Sequence, residues 1–403
     1  MDILISGASV AGPALAYWLR RYGFNATIVE RAPQLRDGGH AVDFRGDVHL
    51  SVLRKMDGVL PAMERAQTGM GATWTVNAAG KKIARMPADL FAGDIEIQRG
   101  DLSRILVDAS DTEYIFGDSI TSMTEDADGV TVTFERTPPR RFDLVIGADG
   151  LHSTVRALTF GPEARFAKHL GLYVAIFTME NYLGLDHLGL SHTSPGRLAA
   201  YYSARNNTEA RAMFFFGSEP LTYDRRDVEH QKRLLREAMS GVGWEVPRML
   251  REMERAPEFY FDSVSQVHVD RWSHGRVTLL GDAAWCASPL SGVGSGLALV
   301  GAYVLAGELA AARGDHRVAF PRYEQLMRPY ATRAQKSGEG IAGMMVPQGR
   351  FMTWMMRQSQ RLMPYTPGMS LIAKSARKMA EAITLPEYPV GTAPRPRPSG
   401  RAS

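Results

Sequence analysis

The first thirty residues constrain this chain more than any other stretch. Asp2-Ile-Leu-Ile-Ser6 is a short apolar run, Gly7-Ala-Ser-Val-Ala-Gly12 a turn of small residues, and Pro13 to Tyr22 an apolar-periodic segment. The pattern predicts a strand, a tight turn and a helix. Gly23 stops that helix, as glycine commonly does just past a last turn. Asn25-Ala-Thr-Ile-Val-Glu30 then reads as a second strand that finishes on an acid. Joined this tightly, they form the opening βαβ unit of a doubly wound α/β sheet.

The turn itself, Gly7-x-Ser9-x-x-Gly12, is a variant of the dinucleotide fingerprint. Gly7 permits the tight turn, the small Ser9 with Val10 and Ala11 lets backbone amides approach a pyrophosphate, and Gly12 permits close helix–strand packing. The helix start offers unpaired N–H groups and partial positive charge to phosphates. Glu30, 18 residues past Gly12, stands where a carboxylate accepts bonds from ribose hydroxyls, with Arg31 beside it. An acid there favours an unphosphorylated ribose, so FAD or NAD rather than NADP in this first site.

Further along, Phe142-Asp-Leu-Val-Ile146 and Arg276-Val-Thr-Leu-Leu280 are buried strands of the parallel type. Between them the texture changes: Leu172–Met179, Arg197–Tyr202 and Arg211–Phe216 alternate as in an antiparallel sheet, with a charged helix near Asp227–Met239. The expected organisation is a discontinuous nucleotide domain, residues 1–164 and 271–330, with a substrate domain at 165–270. A small segment near 60–95 can belong to the latter. Met-rich helices are expected over 331–385, their methionines filling gaps between domains or lining a ligand. A Pro- and Arg-rich tail is expected to be disordered over 386–403.

A second constellation chooses between FAD and NAD. Gly281-Asp282-Ala-Ala follows the strand ending at Leu280, and Ser288-Pro289-Leu-Ser-Gly292-Val-Gly294-Ser295-Gly296 opens a long apolar helix. Two more motifs join them: Asp149-Gly150 with Ser153 and Arg156, and Ile97-Gln-Arg99-Gly-Asp-Leu102. In this order, and spread over about 290 residues, the four resemble the FAD-binding group A flavoprotein monooxygenases, the para-hydroxybenzoate hydroxylase family. The nearest likeness is to its polyketide-tailoring and tetracycline-inactivating members. The likeness spans roughly residues 1–385 and covers 165–270 in texture only.

The resemblance implies a Rossmann-like FAD domain with an inserted, mostly antiparallel substrate domain and C-terminal helices. It also implies a hydroxylase that uses NADPH or NADH as a transient co-substrate and oxygenates a bulky aromatic or polyketide-like molecule through a flavin hydroperoxide. Asp282 and Gly281 would hold the ribityl and pyrophosphate groups, and Arg99 the phosphate–ribityl region. Pro289, Gly292, Gly294, Ser295 and Gly296 would set a helix start against the flavin pyrimidine edge. Asp149 belongs to a motif tied to both FAD and nicotinamide binding, Asp43 to a loop near the flavin, and Arg36 and Arg156 are candidate nicotinamide contacts. No protein nucleophile is implied, because the flavin carries the chemistry. Three positions depart from the family pattern: Trp285 replaces a usual His, Gly296 a frequent Asn, and Gly301 a frequent Asp.

Other readings stand beside these. Asp149 and Asp282 also suit turn and helix-cap acids, Trp285 suits core filling, and Cys286 suits packing, since no base neighbours it. The same fold also suits a reductase or dehydrogenase that incorporates no oxygen. A net charge of +4 over 403 residues is too small to argue for nucleic acid. No apolar run is long enough for a membrane span, ten histidines show no paired metal-ligand spacing, and a single cysteine excludes an intrachain disulfide. A reducing cytoplasm is the expected location. The oligomeric state has no signature.

Overall fold

The structure is a computed structural model and describes residues 1–35, 39–86, 93–362 and 377–389. A six-stranded sheet runs in the order Ser273–His274, Val277–Leu279, Leu144–Gly147, Asp2–Ser6, Asn25–Glu30, Glu113–Phe116. All its pairings are parallel except the short edge strand Ser273–His274. The central strand is dry on both faces, with Ile3, Leu4 and Ile5 fully buried, which is what a sheet covered on both sides requires. The helix Ala11–Arg21 and the long helix Gly294–Ala311 pack against each other over this sheet. The chain leaves the sheet after Gly147 and re-enters it at Ser273, so Leu144–Gly147 lies between strands far from it in sequence, Asp2–Ser6 and Val277–Leu279. A three-stranded antiparallel meander, Ile120–Glu125, Val130–Phe134 and Arg140–Phe142, is attached at one side.

A second sheet of seven strands runs Phe259–Val267, Ala167–Glu180, Glu209–Gly217, Arg197–Ala204, Gly189–Ser194, Thr73–Val76, Lys82–Met86. It is antiparallel except where Gly189–Ser194 meets Thr73–Val76. One face, with Tyr173, Phe177, Tyr201, Phe214 and Phe216, is covered by the helices Val228–Ala238 and Val246–Glu252 through Leu235, Val246 and Met249. The other face carries Leu172, Val174, Ile176, Phe215 and Val264 and meets Leu290 of the Pro289–Ser291 turn, Ala342 and Val346. Strand alternation thus aims every second residue at the cofactor half of the molecule.

The C-terminal region departs from expectation in three ways. The helix His316–Met345 starts well before residue 331 and runs through Pro321 and Pro329. Each interior proline disfavours a helix by about 3 kcal/mol, but Phe320, Tyr323, Met327 and Tyr330 are all buried along it, and that packing wins. Of the methionines, Met345 packs on the second sheet, whereas Met344, Met352 and Met355 are exposed. Met363 lies outside the described residues. The start of the supposed tail is seated on the core: Tyr303 donates to the Pro386 carbonyl at 2.9 Å, Lys55 pairs with Glu387 at 2.5 Å, and Tyr388 donates to Glu308 at 2.6 Å. Residues 390–403 are not among those described. The one described helix long and apolar enough to cross a membrane, Gly294–Ala311, is 78% buried inside the fold.

Candidate active site

Three chain segments converge at the carboxyl end of the parallel sheet. The first is the turn after Ser6. Gly7 has φ +108°, and a Cβ there would stand 2.4 Å from the Ala148 carbonyl oxygen; one on Gly12 would stand 2.0 Å from Gly7's own oxygen. Neither position admits a side chain, which is why the fingerprint needs both glycines. The following helix starts at Ala11 with Val10 before it, no side-chain cap and no acid in its first turn. Its free N–H groups and dipole are therefore left for an anion. Glu30 closes the turn from the next strand, accepting from the Ala8 amide at 2.8 Å and the Ala32 amide at 2.8 Å. Arg31 beside it is exposed.

The second segment is Gly281–Asp282, where the chain leaves Leu279 and turns tightly against the first helix. A Cβ on Gly281 would meet that of Ala11 at 3.3 Å. Burial pushes the Asp282 carboxyl up, with the Arg99 charge opposing. The third is the loop into the helix Gly294–Ala311, which again has no side-chain cap and no first-turn acid. Pro289 and Gly292 are exposed, and Gly294 and Ser295 half-buried. No atom stands within 4 Å of where a Cβ on Gly292 or Gly294 would lie. Two uncapped helix starts facing open space are the arrangement that a pyrophosphate and an electron-rich ring require, so the residues present fit FAD.

Arg99 crosses between these segments. It begins the helix Arg99–Ser110 and donates through Nε to Ser9 Oγ at 3.2 Å, directly over the fingerprint turn. Its amide binds the His40 carbonyl, and burial together with the Arg99 charge pushes the His40 imidazole down to about 4, so that ring is neutral. Asp43 is committed to the protein: it accepts the Gly93 amide at 2.8 Å and pairs with Arg45 at 3.5 Å, while burial raises its pKa. Arg36 lies outside the described residues.

The structure corrects one expected contact, Arg156, and gives the Asp149 carboxylate its protein partners. Arg156 is fully buried, donating to the Ala283 carbonyl at 2.9 Å and the Leu151 carbonyl at 2.6 Å. It is a strut that pins the Asp282 turn, with no surface left for a nicotinamide. Asp149 accepts Ser153 Oγ at 2.5 Å and the amides of Thr154 and Val155 at 2.8 and 3.1 Å, so it caps the helix Thr154–Phe160 and sets the Gly150 turn. Trp285 is core, 2% exposed, with its ring 4.4 Å from Trp272. Cys286 is buried, and burial pushes its thiol well up, which fits packing rather than reactivity.

Some site-lining residues carry no sequence signal. Tyr260, on the edge strand of the second sheet, is 36% exposed, shares the face of its cross-strand partner Ile176, and feels the charges of Arg99 and Asp282. His49 is fully buried against Gly296, with Nε2 2.8 Å from Tyr330 Oη. Alternation along Phe259–Val267 places Tyr260 on the cofactor side only once the strand's neighbours are known.

Comparison with known proteins agrees with this geometry. The FAD binding domain family matches residues 1–336. The Mycobacterium tuberculosis protein Rv1260 (strain H37Rv) is 46% identical over 359 residues, covering 87% of this chain and 96% of its own. A flavin-dependent monooxygenase of Legionella longbeachae is 40% identical over 347 residues, covering 85% and 89%. The crystal structure of tetracycline destructase Tet(51) superposes with a TM-score of 0.85 at 36% identity, covering 96% of this chain and 99% of that one. With its cradle, its inserted sheet and these relatives, the chain belongs to the FAD-binding family of flavin-dependent monooxygenases.

Proposed function

We propose that this monooxygenase oxygenates a bulky, polycyclic aromatic or polyketide-like small molecule, with tetracyclines within the class. The observation that carries this reading is the end-to-end likeness to a tetracycline destructase, which extends through the second sheet as well as the FAD domain. On the sheet face turned toward the cradle, Leu172, Val174, Ile176 and Phe215 are packed beneath Leu290, Ala342 and Val346, and the surface beside them is formed by the half-buried Leu198, Met213 and Tyr202 and by Tyr260. Such a surface suits a flat, largely apolar ligand with a few polar groups.

Bound FAD supplies acceptance of a hydride from a reduced nicotinamide and the activation of dioxygen. The chain supplies position and field. The helix starts at Ala11 and Gly294 would hold the pyrophosphate and the pyrimidine edge, Arg99 would set a cation against the phosphates, and Glu30 would meet the ribose. The second sheet would shield bound substrate from water.

The test is mass spectrometry of products from tetracycline and a panel of aromatic polyketides, with purified FAD-loaded protein, NADPH or NADH, and isotopically heavy dioxygen. Incorporation of one heavy oxygen atom per nicotinamide consumed is the expected result. Turnover of the nicotinamide without heavy oxygen in any panel member would overturn the substrate assignment.

A further inference from the structure

A cluster of titratable side chains outside the cradle links its interior to solvent. His152 follows the Asp149–Gly150 turn, and its Nε2 lies 3.0 Å from Asp262 Oδ2. Its Nδ1 lies 2.9 Å from Glu163 Oε2, so one imidazole bridges two carboxylates. Asp262 belongs to the second sheet and His152 to the FAD domain, so the pair spans the two. On the same face of the same strand, the Tyr260 hydroxyl lies 3.5 Å from Asp262 Oδ2. Tyr260 is 36% exposed, on the sheet face that meets the FAD domain through Leu290, within electrostatic reach of Arg99 and Asp282. At the far end, the Glu163 side chain is 33% exposed and meets the exposed Arg225 at 3.3 Å.

We propose that Tyr260, Asp262, His152 and Glu163 form a path that carries a proton from solvent into the covered cofactor–substrate space. The proposal rests on the monooxygenase reaction alone and not on the substrate class.

The reaction requires such a path. A substrate C–H bond, dioxygen and a hydride from the nicotinamide, with one solvent proton, give a C–OH bond, one water and oxidised nicotinamide. Two electrons come from the nicotinamide, and the second oxygen atom leaves in the water. A site that excludes water must therefore import one proton per turnover. The Tyr260 O–H bond breaks toward the cavity, and Tyr260 is reprotonated by Asp262. His152 reprotonates Asp262 and is itself recharged through Glu163 or water.

The surroundings suit the task. Burial pushes the Asp262 carboxyl up to about 6, against the Ser263 amide and the Arg225 charge, near the pH at which a relay must both take and give. Facing the carboxylates are Arg156 from the helix Thr154–Phe160, Arg225, the phenols of Tyr173 and Tyr223, and the Cys286 thiol.

The test uses full-length, FAD-loaded protein, reduced stoichiometrically with dithionite under nitrogen and mixed with oxygenated buffer, with no organic substrate. Reoxidation still consumes a solvent proton, dioxygen leaving as hydrogen peroxide. Failure of the substrate assignment therefore leaves the assay untouched. Return of the flavin visible band is followed across pH in light and heavy water. Tyr260→Phe, Asp262→Asn and His152→Ala are expected to slow reoxidation by about tenfold or more and to change its pH profile. Added imidazole is expected to restore His152→Ala. For Asp262→Asn and His152→Ala, FAD affinity and anaerobic bleaching by NADPH are expected to stay as in the unaltered protein.

A readout independent of turnover is the NMR titration of His152 in FAD-free protein. Asp262→Asn is expected to lower its midpoint by about one pH unit or more, because the facing carboxylate is lost. Unaltered reoxidation with no imidazole effect, or a defect confined to the NADPH step, would overturn the proposal. Should Asp262→Asn fail to fold, Tyr260→Phe removes only one hydroxyl and decides alone.

Discussion

Gly296 is where the start of the helix Gly294–Ala311 meets a fixed obstacle. A Cβ there would lie 2.1 Å from His49 Cε1 and 2.5 Å from both ring nitrogens, well inside ordinary contact. The ring cannot swing away: it is fully buried, Nε2 is bonded to Tyr330 Oη at 2.8 Å, and Nδ1 accepts the Arg45 amide at 3.2 Å. Gly296→Ala would otherwise gain about 1 kcal/mol as a helix substitution. Overpacking costs about 1–3 kcal/mol, and losing His49's bonds adds about 1 kcal/mol each. The net expectation is a loss of about 2 kcal/mol in stability. If the helix start shifts in response, FAD affinity falls by about tenfold, the factor that 1.4 kcal/mol represents. The assay is urea unfolding with fluorescence-detected FAD binding for Gly296→Ala, His49→Ala and the double variant. His49→Ala removes the obstacle and opens room for the new methyl, so the double variant is expected to be more stable than the two losses combined by about 1–2 kcal/mol. Stability of Gly296→Ala equal to that of the unaltered protein, or strict additivity in the cycle, would refute the reasoning.

A Cβ on Gly301 would stand 3.0 Å from Trp285 Cζ2 and 3.0 Å from Leu280 Cδ1. Gly301→Asp alone is therefore expected to lower the thermal midpoint, whereas joining it to Trp285→His recovers part of the loss, read by calorimetry. Arg99→Ala is expected to raise the FAD dissociation constant by about 10- to 100-fold, the worth of a charged hydrogen bond to phosphate, with an unchanged far-ultraviolet spectrum in titrations at low salt. Burial holds the His49 imidazole at about 4 instead of 6.5, with Asp94 opposing and Arg45 reinforcing. The unfolded chain therefore takes up a proton that the folded chain refuses, and stability present above the ordinary histidine pKa is lost as pH falls toward 4, by on the order of 3 kcal/mol. Urea unfolding at about pH 7 and about pH 4.5 should show that loss together with a like one from His40, also held at about 4, and His49→Asn should remove only its own share, about half of the two.

The cofactor half of this molecule was legible in the sequence because backbone builds it. Gly7 and Gly12 are fixed by carbonyl oxygens that would collide with any side chain, and such positions leave a glycine signature that a reader can find. The Asp282 turn and the loop into the helix Gly294–Ala311 are legible for a related reason, since Gly281 and Gly292 both take φ +64°, a conformation that favours glycine. Arg156 is legible as part of its motif, but its partner is not. A sequence shows that an arginine follows an Asp–Gly turn, and not that its guanidinium is spent on Ala283 and Leu151 carbonyls inside the core. The strands Thr73–Val76 and Lys82–Met86 join a sheet whose other members all lie beyond residue 166, and no local pattern fixes which edge they take. His152 and Asp262 are 110 residues apart and meet only through the packing of two domains.

The three departures from the family pattern resolve into two packing units. Trp285 and Gly301 share one volume: the indole, wedged between Trp272 and Tyr323, reaches the space that a side chain at 301 would fill. Gly296 and His49 share another, the imidazole filling what a larger residue at 296 would claim. In both units a bulky ring on one element stands against a glycine on the helix Gly294–Ala311, so the helix start keeps its place while the side chains around it change. The FAD cradle depends on where two helix starts point and on the dipoles they carry, and both quantities survive such paired exchange. The sheet face above it has no equivalent constraint, because any apolar residue of suitable volume serves at Ile176, Leu198 or Met213. Cofactor chemistry is thus held by geometry that tolerates little, and substrate choice by a surface that tolerates much. Exchanges confined to that face should accordingly change which molecules are oxygenated while leaving FAD affinity where it was.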